Sequence, residues 1–216
     1  VSSLACTELR HDDWGIDVTI SASQKGLMLP PGLCFNAVSE KALAASKGST
    51  FLHSYWSWDS MLNLNKQGYF PYTPSTNLLY GLDEALSMLL DEGLVNVFAR
   101  HRRLAYATQL AVAGWGLENL CVNPEEYSNS TTAVLMPQGH DADALRNIIL
   151  EKFNMSLGMG LGKVKGTVFR IGHIGDFNEL MMAGTLSGVE MGLSLAGVPH
   201  TKGGVNAALE FLAGSA

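Results

Sequence analysis

Lys25 and Arg170 are the two side chains in this sequence whose type and setting could do chemistry. Lys25 stands in the loop Ser21-Ala22-Ser23-Gln24-Lys25-Gly26-Leu27, which follows an expected strand and precedes Pro30-Pro31-Gly32. A lysine in a polar loop is most often a solvated surface charge. Here the flanking Ser and Gly residues suit a tight backbone approach to a bound group. An amine at the end of a buried strand is also one that desolvation drives toward its neutral, nucleophilic form. Arg170 lies in the run Val168-Phe169-Arg170-Ile171. A planar guanidinium makes two parallel charge-assisted bonds to one carboxylate, although an ordinary strand-edge arginine is the plainer reading.

Other residues of chemical type have simpler roles. His173 is expected to bond to backbone, and Asp176 to cap the helix that follows it. Cys6, Cys34 and Cys121 are widely spaced, with no CxxC and no pairing His, so no metal site is expected. They read as reduced, mostly buried thiols of a cytosolic protein. Met155, Met159, Met181 and Met182 look like packing. The group Trp56-Ser57-Trp58-Asp59 could line a substrate entrance, but aromatic clusters more often serve a core or an interface.

The elements that must position Lys25 and Arg170 follow from periodicity. Ile16, Val18 and Ile20 alternate with Asp17, Thr19 and Ser21, which predicts a half-buried strand with the apolar residues inward. Ser21 to Gly32 is a loop, Leu33 to Val38 a second strand, and Ser39 the cap of a helix over Glu40 to Lys47. The stretches Tyr55 to Trp58 and Tyr69 to Pro74 are too irregular for long elements. From Leu78 the spacing is helical, with Leu82, Leu86, Leu89 and Leu90 on one face and Gly93 as punctuation. A second long helix carries Val97, Leu104, Ala111 and Val112 and stops at Gly114-Trp115-Gly116. Then come a strand over Thr131 to Met136, a helix over Ala142 to Phe153, a strand over Val168 to Ile171, and a helix from about Asn178 to Leu195. A last short helix spans Asn206 to Leu212. The expected organisation is residues 1–92 in a larger α/β layer, a connecting helix over 93–116, and a compact α+β domain over 117–216.

Composition narrows the field. A chain of 216 residues that is 47% hydrophobic can bury a sizeable core. A net charge of −6 gives no electrostatic support to a nucleic-acid-binding face. The basic cluster Arg100-His101-Arg102-Arg103 reads as one turn of a solvated helix face. No apolar run approaches the roughly 18 residues of a membrane span, and no signal-peptide pattern opens the chain. Val1 is expected to fall inside a domain of a longer protein.

The run Ser21-Ala22-Ser23-Gln24-Lys25-Gly26-Leu27-Met28-Leu29-Pro30-Pro31-Gly32 resembles the cofactor-lysine segment of the class V pyridoxal-phosphate aminotransferases. Phe70-Pro71-Tyr72-Thr73-Pro74-Ser75-Thr76-Asn77-Leu78-Leu79-Tyr80-Gly81-Leu82 resembles a stretch of the serine–glyoxylate group of that family, and so does Val168-Phe169-Arg170-Ile171-Gly172-His173-Ile174-Gly175. Three separated motifs in the right order cover the length of the chain.

The resemblance implies an α/β fold: the C-terminal part of the large domain of a fold-type I pyridoxal-phosphate transferase, followed by a small C-terminal α+β domain. It implies that Lys25 is the Schiff-base lysine and then the proton carrier between Cα and C4′. Gln24 and Ser23 would contact the cofactor phosphate. Thr73 would reach the phosphate of the neighbouring subunit's cofactor, because the family's active site lies at a homodimer interface. Many relatives carry Tyr where this chain has Phe70, and Tyr69 or Tyr72 could substitute. Arg170 would hold the substrate α-carboxylate. The family's Asp that pairs with the pyridine nitrogen aligns just upstream of Val1, and its phosphate loop lies further upstream.

The implied reaction is transamination between an amino acid and glyoxylate in the cytoplasm, with serine as first donor and aspartate or alanine as alternatives. Cysteine desulfurases usually place His before their lysine, where Gln24 stands here, and use a mobile Cys. Cys121 follows Leu117-Glu118-Asn119-Leu120, a segment expected to be helical packing. Phosphoserine aminotransferases share the Gln-Lys pair but not the two later motifs. A scaffold domain that lost its chemistry is the alternative from another class.

Overall fold

The structure, a computed structural model, describes residues 1–215. It divides into two compact units: Val1–Leu4 with Glu8–Asp91, and Ala5–Thr7 with Glu92–Ala216.

The first unit contains an antiparallel pair, β1 (Val18–Ala22) and β2 (Cys34–Val38), in a register that sets Val18 opposite Val38 and Ala22 opposite Cys34. The lysine loop is therefore the connection between two paired strands. Helix α1 (Glu40–Ser46) starts where expected, with the Ser39 side chain accepting from the Ala42 amide. Helix α2 (Trp58–Asn65) was not expected; Ser57 caps it by accepting from the Ser60 amide, and none of its residues is buried. Helix α3 spans Thr76–Glu92 and buries Ala85 and Leu89, while Leu86 and Leu90 face out.

β1 forms as predicted, but with its faces exchanged. Thr19 and Ser21 are buried, whereas Val18 is 37% and Ile20 54% exposed. The reason is local. His11 Nδ1 bonds to Thr19 Oγ1 at 2.8 Å, and Ser21 Oγ donates to the Val1 carbonyl at 2.8 Å. The residues before β1 cover its hydroxyl-bearing face and satisfy it, which removes most of the desolvation penalty of burying those groups.

The second unit is built on helix α4 (Leu94–Gly114). Its inward stripe carries Val97, Leu104, Ala107, Ala111 and Val112 at helical spacing. A four-stranded antiparallel sheet runs in the order β3 (Glu118–Asn119), β4 (Thr131–Leu135), β6 (Val168–Gly172), β5 (Gly158–Met159). Helices α5 (Ala142–Phe153), α6 (Glu179–Leu195) and α7 (Val205–Gly214) complete it. Leu145, Ile149, Phe169, Ile171, Met182, Leu186 and Leu193 meet in one core with Trp115. The Trp115 indole donates to Glu190 at 2.8 Å, and Glu190 also accepts from the Val205 amide at the start of α7. Helices α4 and α7 approach closely at Gly114: a Cβ there would lie 2.7 Å from the Gly204 carbonyl oxygen, so a side chain would force the two backbones apart.

Several expectations are corrected. Leu117 to Leu120 is not helical; Glu118 and Asn119 form β3, paired with Leu135 and Val134. Only Cys6 is buried, while Cys34 is exposed and Cys121 half-buried. Met182 packs in the core, but Met159 and Met181 are exposed. Among the described residues no helix is long and apolar enough to cross a membrane.

The basic cluster is solvated only in part, with Arg102 exposed. His101 is fully buried, and Arg100 gives Nε and Nη2 to the two Glu92 oxygens at 2.8 and 2.9 Å. Its Nη1 donates to the Gly175 and Phe177 carbonyls at 2.8 and 3.1 Å, while His101 Nε2 accepts from the Gly175 amide at 3.1 Å. The turn after β6 is thereby tied to α4.

Candidate active-site residues

Ser23, Gln24 and Lys25 share one turn, and Ser23 holds that turn together. It is fully buried. Its Oγ donates to the Pro30 carbonyl at 2.7 Å and accepts from the Leu33 amide at 3.1 Å. Its backbone N–H donates to the Leu33 carbonyl, and its carbonyl accepts from the Leu29 amide, each at 3.1 Å. Buried Leu27 and Leu29 anchor the far side of the loop. The Met28 amide donates to the Lys25 carbonyl at 2.9 Å, closing a tight turn in which Met28 takes a φ of 64°. Methionine in that region costs energy, and such strain persists where surrounding bonds over-determine the backbone. The result is a stapled platform with the Gln24 and Lys25 side chains exposed at its tip.

The Ser23 hydroxyl thus has its hydrogen-bond partners inside the loop, where it shapes the turn.

The segment Gly68 to Leu79 borders an open hollow of about 740 Å³ in the same unit, and exposed Thr73 is on its lining. Tyr69, Phe70 and Tyr72 are all exposed beside it. Tyr72 stacks obliquely on Tyr55, with centroids 4.8 Å apart. Trp56 is 73% exposed and forms no part of a core.

Arg170 lies in the second unit, half-buried on β6, between Ala133 of β4 and Gly158 of β5. Its Nε donates to the Met159 carbonyl at 2.9 Å, and it forms no ion pair among the described residues. A guanidinium held through Nε keeps its two Nη groups as a fork of the kind that grips a carboxylate.

His173 has the structural role expected of it. It is fully buried, with Nδ1 bonded to the Asn129 carbonyl at 3.0 Å and Nε2 to Thr132 Oγ1 at 2.9 Å. Burial pushes its imidazole down to about 4. Asp176 does not cap α6; the Asn178 side chain accepts from the Met181 amide at 2.9 Å and takes that place. Among the described residues no group of three or more His, Cys, Asp or Glu could hold a metal ion.

Of the two residues that border Arg170, sequence reasoning passed over Gly158 and suggested packing for Met159. A two-residue strand has no periodicity to detect; the only signal was the alternation Leu157-Gly158-Met159-Gly160-Leu161-Gly162.

No family model matches the chain. It is 48% identical over 215 residues to the serine–glyoxylate aminotransferase of Arabidopsis thaliana, covering 98% of this chain and 53% of that protein. It is 40% identical over 211 residues to the L-aspartate–glyoxylate aminotransferase of Paracoccus denitrificans, covering 97% of this chain and 53% of that one. The crystal structure of pyridoxamine–pyruvate aminotransferase from Mesorhizobium loti matches with a TM-score of 0.93 at 32% identity, over 100% of this chain and 56% of that one. The fold is therefore that of the fold-type I pyridoxal-phosphate transferases. Within that class, the chain belongs to the class V aminotransferases, and it spans about half the length of the curated relatives it matches.

Proposed function

We propose that the protein carrying this chain transfers an amino group from an amino acid to glyoxylate with pyridoxal phosphate as cofactor, and that serine is its first donor. The observation that carries this reading is the stapled turn: a primary amine at Lys25, exposed beside the amide of Gln24 on a backbone with little freedom to move. That arrangement fits an aldehyde cofactor with a phosphate, which needs an accessible amine and a neighbouring hydrogen-bond donor. The relatives named for serine–glyoxylate and aspartate–glyoxylate transfer support glyoxylate as acceptor.

When bound, pyridoxal phosphate supplies an electron sink that lets the substrate Cα–H ionise. Lys25 would hold the cofactor through Nζ, and its amine would carry the proton at the substrate Cα as base and then acid. Gln24 donates to the phosphate, and Ser23 acts by holding Gln24 and Lys25 in place. Arg170 binds the α-carboxylate with its two Nη groups, fixing the amino acid so that one face of Cα is presented.

The remaining assignments belong to the same proposal. Thr73 reaches the phosphate of the neighbouring subunit's cofactor in a homodimer, and Tyr69 or Tyr72 supplies a contact that Phe70 cannot. Residues 1–92 are part of the large domain, 93–116 the connecting helix and 117–216 the small domain of a cytoplasmic enzyme.

A donor screen on the full-length protein tests the reading. With glyoxylate as acceptor, serine should outperform aspartate and alanine. Preference for aspartate or alanine would move the donor but keep the reaction; no glycine formed from any of the three would leave a scaffold that kept the fold without the chemistry.

A further inference from the structure

Gly158 stands directly opposite Arg170 in the β5–β6 register, and Met159 beside it accepts from Arg170 Nε at 2.9 Å. The φ of Gly158 lies outside the left-handed region, so its missing side chain is a matter of space and not of backbone freedom. A Cβ at this position would lie 3.1 Å from Arg170 Cβ and 3.2 Å from Arg170 Nε. The Arg170 stem therefore runs over the spot where any other residue would put its side chain. Gly160 fixes the other end of this short strand: a Cβ there would lie 2.1 Å from the Val164 carbonyl oxygen, and its amide donates to the Val168 carbonyl at 2.9 Å.

We propose that Gly158 is a positioning residue for substrate: it leaves the space in which Arg170 lies with Nε on Met159 and both Nη groups aimed as a carboxylate fork. This rests on reading Arg170 as the carboxylate anchor. A methyl group at Gly158 meets two Arg170 atoms. Cβ is held by the strand backbone, so the displacement passes to Nε and swings the guanidinium off the Met159 carbonyl. Misplacing a binding group by a fraction of an ångström weakens the geometry it serves without removing its charge.

The test uses the full-length holoenzyme with Gly158→Ala, Arg170→Ala and the double variant. Serine affinity is read from the change it causes in the visible absorption of bound cofactor, alongside KM, kcat and Tm. Gly158→Ala should weaken serine binding roughly tenfold, leave cofactor absorption and Tm near the parent, and weaken nothing further in the Arg170→Ala background. Serinamide, which lacks the carboxylate, should be insensitive to the change. If Arg170→Ala weakens serine and Gly158→Ala does not, the positioning role is wrong and the anchor stands. If Arg170→Ala leaves serine affinity intact, the anchor fails and this inference falls with it. Should Gly158→Ala not fold, recovery of Tm in the double variant supports the clash with Arg170; continued loss means that the glycine serves the strand alone and overturns the proposal.

Discussion

The hydroxyl of fully buried Ser23 joins the Pro30 carbonyl to the Leu33 amide, with bonds of 2.7 and 3.1 Å. Removing it takes a partner from two backbone groups at once. Ser23→Ala should cost about 1–3 kcal/mol, seen as a lower Tm of the full-length protein, and should loosen cofactor retention at Lys25. An unchanged Tm would show that the loop does not depend on this staple.

His173 gives the fold a directed pH dependence. Its ordinary value is 6.5 and burial lowers it to about 4, while burial lowers His101 as well. The unfolded chain thus binds the proton at higher pH than the folded one. Stability is complete above about 6.5 and falls as pH drops toward about 4, by about 3 kcal/mol for His173 alone. Thermal unfolding at about pH 7.5 and about pH 5 should show this loss. His173→Gln should lower Tm at the higher pH but shrink the difference between the two; an equal difference in the variant would assign the dependence elsewhere.

Arg100 ties the turn after β6 through the Gly175 and Phe177 carbonyls, with Glu92 completing its fork. Its charge-assisted bonds hold Glu92 below the usual carboxylate range. Arg100→Ala should destabilise by about 2 kcal/mol and speed hydrogen exchange at the Gly175 amide, which now donates to His101. Unaltered exchange there would mean that the turn is held by other contacts.

Much of the second unit was legible in the sequence. The apolar stripes of α4, α5 and α6 repeat at helical spacing for several turns, and β4 and β6 are β-branched runs between turn residues. Pattern fails where burial is decided by distant partners. The β1 faces were exchanged because His11 and Val1 satisfy Thr19 and Ser21, which no alternation can reveal. The basic run at Arg100 looked solvated because its partners lie far along the chain, at Gly175 and Phe177. Asp176 and Asn178 are both good caps, and only the backbone geometry chose Asn178. The candidate site was legible as residue types, Lys25 and Arg170. The devices that aim them, Ser23 and Gly158, became visible only through hydrogen bonds and strand register.

Lys25 is the residue proposed to hold the cofactor. Borohydride treatment of the full-length holoenzyme fixes pyridoxal phosphate to whichever lysine carries it, and mass spectrometry of the digest locates the label. The added mass should fall on the peptide containing Ser23-Gln24-Lys25-Gly26 and disappear in Lys25→Ala, together with the visible absorption. A label on any other lysine, or none in an active preparation, would contradict the assignment.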